Sequence, residues 1–242
     1  MALVDRLKQG CCLGAALLLP INWSVALKPL KMVRGPEIRK GIAALPRIAA
    51  PNTAEAKIND ALDRQDLWVR KAAEACGGPD MFWKRVVEVT KSGPALLSVL
   101  VSDSADCGGV HPSDEDFALV YDLRTGDAVR WDKVFPKGRA EEVYTSSSDG
   151  MPWITIRSKR LQALYVAHYK SHGDCSREIV AEVTEFHLYP DEKAKALKIF
   201  PAGLPQVAHP CASSLALGAK ELQTLGVSQQ RQDAILSPDG KP

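Results

Sequence analysis

The sequence predicts an α+β fold: an antiparallel sheet, made of a meander plus a hairpin, with two main helices packed on one face. Three observations predict it. Apolar residues recur at helical spacing after residue 52 and again after residue 154. Between and beyond them, β-rich runs are broken by turns bearing Gly, Pro and Asp. Four cysteines, Cys76, Cys107, Cys175 and Cys211, stand at matched distances from two of those turns.

Taken in order, the chain opens with Arg6 and Lys8 before an apolar run over residues 11–20, followed by Ser24-Val25-Ala26. That small-x-small end predicts a cleaved export signal over residues 1–26 and a periplasmic or secreted product. The run is too short to span a bilayer, so no stable membrane insertion is expected after cleavage. Cleavage removes Arg6, Lys8 and Asp5, taking 31 basic and 29 acidic residues to 29 and 28. A charge so near neutral argues against a nucleic-acid binder, which normally shows a basic stripe. The rest is long enough for one domain with a sizeable core.

Residues 27–51 are rich in proline and basic side chains and read as an extended lead-in. Asn52 with Glu55 has the capping-box spacing, and Ile58, Leu62, Val69, Ala72 and Cys76 follow on one stripe. A helix over about 53–75 is expected, stopped by Gly77-Gly78-Pro79. The period then changes to a hairpin turning near Ser92, and a second strand pair, 117–123 and 128–131, turns at Arg124-Thr125-Gly126-Asp127. These four strands make the meander. Residues 137–151 are polar. Ile154, Leu161, Leu164 and Tyr165 mark the second helix, to about Tyr169. A hairpin over 180–188 and 196–200, a strand at Leu215 and Leu217 and a short helix at 219–225 close a single domain over 52–226. Residues 227–242 read as a flexible tail.

The hairpins choose the disulfides. A turn near Ser92 sets Cys76 opposite Cys107, and a turn near Lys193 sets Cys175 opposite Cys211. An even cysteine count in an exported chain supports oxidation of both pairs.

Chemistry is harder to find. The nucleophile elbow, the phosphate-binding loop, H-E-x-x-H and C-x-x-C are missing from the sequence. No cofactor, no catalytic residue and no turnover of wall glycans are therefore expected. His168 and His172 have a zinc-compatible spacing, with His187, His209 or Asp174 as a third ligand. The stronger reading places His168 on the apolar stripe with Leu161 and Leu164, and no metal site is assigned. Asp103, Asp106, Asp114, Glu115 and Asp116 cluster around Cys107 without the order of a calcium loop. They read as a strand crossover, or as a fixed acidic surface for a basic partner.

Ile58-Asn59, Leu96-Leu97-Ser98, Gly108-Gly109-Val110-His111-Pro112, Asp122-Leu123-Arg124-Thr125-Gly126 and Trp131-Asp132-Lys133-Val134-Phe135 come in a telling order. Phe186-His187-Leu188-Tyr189, Ile199-Phe200 and Glu221-Leu222 suit the same pattern. Over residues 36–226 the chain resembles the extracytoplasmic domain of the RsiV type, a bacterial domain of unknown function. The best-understood member of that family is an anti-sigma factor whose outer domain binds lysozyme. The resemblance implies a free-standing exported module without an anti-sigma segment or a deacetylase domain. It also implies a partner such as lysozyme or another basic wall hydrolase. The rival readings are a metal-assisted hydrolase built on His168 and His172, and a purely structural envelope protein.

Overall fold

The computed structural model describes residues 30–78, 81–109, 112–146 and 152–237. The first sheet is an antiparallel meander of three strands, β3 (Phe82–Ser92), β4 (Leu96–Asp106) and β5 (Ser113–Asp122), in that order. Before it come β1 (Met32–Arg34), β2 (Pro46–Ile48) and α1 (Thr53–Ala75). The cap of α1 is the one the sequence predicts. Asn52 accepts from the Glu55 N–H while the Glu55 carboxylate accepts from the Asn52 N–H.

One face of the first sheet packs on α1. Leu97, Val99, Val101, Phe117 and Tyr121 meet Ile58 and Leu62 there. The expected lead-in belongs to this core. Ile42, Leu45 and Ile48 are buried, and Asp66 accepts from the Leu45 N–H while Asn59 brackets both backbone groups of Ile48. Arg47 closes over the end of this join by pairing with Asp63 and Asp66.

The other face lies against a second sheet. It is ordered β10-β9-β8-β7-β6, from β6 (Glu141–Ser146), β7 (Pro152–Arg157), β8 (Glu185–Asp191), β9 (Ala196–Ala202) and β10 (Leu215–Leu217). β8 crosses the back of β3, β4 and β5. It is buried along most of its length because both its faces are covered. Beyond β8, Phe186 packs in a tilted contact against Tyr165 of α3 (Lys159–His168). The α+β class with antiparallel ladders therefore holds, but the helices serve two sheets instead of sharing one face.

Four local expectations give way, and one stretch given no element gains one. Only Ala128 bridges back to β5, at Tyr121, and Trp131 opens a short helix, α2 (Trp131–Val134). Its ring is buried in the core on the second-sheet side, so the fourth meander strand is replaced by a plug. The polar stretch 141–146 is an edge strand, where one side needs no apolar partner. Ile154 and Ile156 belong to β7, at strand period, and the second helix starts only after Ser158, whose hydroxyl caps Leu161. Val180 sits in α4 (Arg177–Ala181), one turn of helix before β8. After the 3-10 turn Gln206–Cys211 and α5 (Ala219–Thr224), the expected tail forms α6 (Gln229–Leu236), with Gln232 and Ile235 buried. The Lys91 ammonium, itself buried, donates to the Ser237 carbonyl and fixes the end of that helix.

Disulfides join Cys76 to Cys107 and Cys175 to Cys211. The turn after β5 needs its glycine. Gly126 has φ of 73°, and a Cβ there would meet the Ala54 carbonyl oxygen at 2.3 Å.

Candidate functional site

The acidic residues around Cys107 lie on strands. Asp103 and Asp106 are on β4, and Asp114, Glu115 and Asp116 on β5; the intervening loop turns through Gly108 at φ of 82°, with Val110 and His111 outside the described residues. Register pairs Asp103 with Glu115, Ser102 with Asp116 and Ser104 with Asp114. Because side chains alternate across a strand, Asp103 and Glu115 share the α1 face while Asp114 and Asp116 point to the other. The five carboxylates thus divide between two faces.

Asp103 is occupied inside the protein. The Arg85 guanidinium donates to both its oxygens, Nε at 2.7 Å from Oδ1, and the Trp83 indole N–H donates to the same oxygen at 3.1 Å. The Arg85 side chain is fully buried and lies 5.9 Å from the Phe117 ring centre. Asp106 accepts from the Gly108 N–H and holds the start of the loop. Asp114 and Glu115 are exposed and Asp116 half-buried. Although Glu115 is exposed as a residue, packing nearby partly desolvates its carboxyl and raises it above its ordinary range, helped by Asp103 and Asp116 and opposed by His209.

The histidines do not converge. His168 and His172 are both exposed, each with Nδ1 against a backbone carbonyl, of Leu164 at 2.9 Å and Lys170 at 3.1 Å. His168 is off the apolar stripe because α3 ends there and Tyr169 turns inward in its place. Both line a hollow of about 430 Å³ beside Ser213 and Tyr165. His187 is buried on β8, and His209 Nε2 meets the Leu204 carbonyl. Among the described residues no three His, Cys, Asp or Glu side chains are grouped to hold a metal.

A groove of about 910 Å³ runs along the middle of β5, away from the acidic end. Its floor is residues 117–121. One wall is the flank of α1, with Lys57, Arg64, Trp68 and Lys71; Trp131, Ile154 and His187 face it. Lys57 pairs with Asp127, whose carboxyl is held below its usual range first by that hydrogen bond and then by Thr125. Arg64 and Lys71 are exposed and pair with no carboxylate among the described residues. Burial pushes the Tyr121 hydroxyl up to about 12, with Arg64 the largest opposing influence.

The floor is a free sheet edge. β5 has β4 on one side only. On the other, Val120 accepts from the Val129 N–H and Asp122 donates to the Asp127 carbonyl, so even-numbered backbone groups face outward. That leaves both backbone groups of Ala118 and the N–H of Val120 without a backbone partner among the described residues. The sequence carried a signal for this groove that motif reading passes over. Lys57, Arg64 and Lys71 recur every seven residues beside the apolar stripe of α1.

His187 gives the groove a measurable property. Burial lowers its pKa to about 4 from 6.5, against smaller opposing effects of the Ile154 backbone and Glu185. The unfolded chain regains the ordinary value, so this contribution is complete above pH 6.5 and is lost as pH falls toward 4. The loss reaches about 3 kcal/mol. Urea unfolding of wild type and His187→Gln at pH 7.5 and 4.5 should show a smaller acid loss in the variant. Equal losses would contradict the buried neutral imidazole.

No family model and no curated protein matches the sequence. Solved structures similar to it include two DUF3298 family proteins. One is a DUF3298 family protein from Pseudomonas aeruginosa PAO1, at 10% identity and a TM-score of 0.49, covering 85% of this chain and 97% of that one. The other is a DUF3298 family member from Bacteroides fragilis, at 10% identity and a TM-score of 0.39, covering 73% and 70%. Neither bears on activity.

Proposed function

We propose that this chain is an exported, disulfide-braced, non-catalytic binding module of the cell envelope, and that the groove along β5 is its ligand site. The observation that carries the reading is a free strand edge forming the floor of a large, partly apolar groove. Export is supported by the apolar run ending in Ser24-Val25-Ala26, which lies outside the described residues, and by two disulfides. N-terminal sequencing of protein from the native host should find Leu27 first. A mature chain beginning at Met1 would refute cleavage. Backbone amide shifts on adding fractionated envelope extract should concentrate at residues 117–121 and the facing flank of α1. Shifts confined to the hollow around Tyr165 would place the ligand site elsewhere.

A second reading concerns the acidic end, favoured by the exposure of Asp114 and Glu115 beside the Cys76–Cys107 bond. It takes a basic wall enzyme such as lysozyme as partner, bound or inhibited there. Complementary charge acts mainly on association rate. Neutralising Asp114, Glu115 and Asp116 together should slow association with lysozyme and flatten its salt dependence in surface plasmon resonance. An unchanged rate would remove the acidic end from the interface, and no binding by wild type would remove lysozyme.

A further inference from the structure

Resting on the reading of the groove as the ligand site, we propose that its occupant is an extended segment of a partner protein with acidic side chains at alternate positions and apolar ones between. It binds by adding a strand to the free edge of β5.

The edge offers donors and acceptors in alternation, the N–H and C=O of Ala118 and then the N–H of Val120. A small anion could meet the cations of the α1 wall but would leave the edge carbonyl unpaired. A peptide backbone complements both kinds of group and continues the order β3-β4-β5 by one strand.

The walls then sort the side chains. A strand in this position sends alternate residues toward α1 and toward the second sheet. The α1 side presents Arg64 and Lys71, whereas the opposite wall presents Trp131 and Ile154. Seven residues of helix separate the two cations by about 10 Å along the axis. Same-face residues of a strand repeat every ~7 Å. Long basic side chains span that difference. Lys57 is already neutralised by Asp127, so the net charge offered is that of Arg64 and Lys71. The complement is an acidic face on one side of the peptide and an apolar face on the other.

Fluorescence anisotropy on the oxidised protein tests this with a labelled, end-blocked hexapeptide in which glutamate alternates with valine. The same peptide with lysine for glutamate should bind at least about tenfold more weakly, because two cation–carboxylate attractions become repulsions. Arg64→Glu combined with Lys71→Glu should reverse that preference, which a merely unfolded variant would not do. N-methylating the one alternate set of amides that faces β5 should abolish binding, while methylating the other set should not. Equal binding of the glutamate and lysine peptides would overturn the acidic occupant, and insensitivity to both methylated sets would overturn strand addition. If no peptide binds, strand addition by such a segment is wrong. Extract-induced amide shifts at residues 117–121 would then still uphold the groove as ligand site, and their absence would sink that reading as well.

Discussion

Replacing Asp103 with alanine is expected to lower the unfolding free energy by about 3–5 kcal/mol, the usual consequence of leaving one member of a buried ion pair alone. The guanidinium of Arg85 has no exposed surface, and Asp103 is the only carboxylate it pairs with among the described residues. Its Nη1 already lacks a hydrogen-bond partner among the described residues, so no second acceptor stands ready to replace Asp103. The loss therefore comes mainly from a stranded charge. The double variant Arg85→Met, Asp103→Leu should recover most of it, since apolar replacement of a whole buried pair is often nearly neutral. Urea unfolding of the three proteins decides the matter. A loss below about 1 kcal/mol for Asp103→Ala, the range of a solvated pair, would contradict the buried assignment.

The second large effect concerns the disulfides. The chain-entropy relation gives about 4 kcal/mol for either bridge, because their sequence separations are nearly the same. The separations are 31 and 36 residues. Their surroundings differ. Cys175 and Cys211 are both buried within the larger core, where Tyr169 donates to the Cys211 carbonyl, while Cys107 is exposed. Replacing both members by serine should therefore destabilise the 175–211 variant more than the 76–107 variant, since buried hydroxyls are added to the lost loop constraint. Separate denaturant titrations measure both. The reverse order would show that the interior around Tyr169 is looser than its burial implies.

Local signals carried much of the fold into the sequence. The Asn52–Glu55 box starts α1 where expected, because two backbone donors are satisfied by residues three apart whatever packs around them. The two long hairpins and the cysteine pairs they align were legible for the same reason: turn chemistry and strand period are local. Failures came where tertiary burial decides. Trp131 reads as the end of a strand until a second sheet offers its ring a socket. Residues 141–146 read only as part of a polar stretch, because an edge strand pairs on one side and needs no alternating apolar pattern. Val180 at full burial says only that it is inside, not which element carries it there. Ser228 and the polar residues after it resemble a tail, yet Ile235 and the Lys91–Ser237 hydrogen bond hold them on the core.

The site was less legible than the fold. The acidic residues drew attention as a run, but alternation divides them between two faces and Arg85 takes Asp103. The groove depends on an edge being left open, which no stretch of sequence states by itself. Its basic flank at Lys57, Arg64 and Lys71 was readable, though only as the solvated side of a helix.

Amide hydrogen exchange on the oxidised protein, with and without saturating glutamate–valine peptide, tests the binding account most directly. Exchange at Ala118 and Val120, the outward amides of β5, should slow by at least about tenfold on binding, as new ladder hydrogen bonds close them. Unchanged exchange at these two amides, with protection appearing elsewhere under the same saturation, would contradict it.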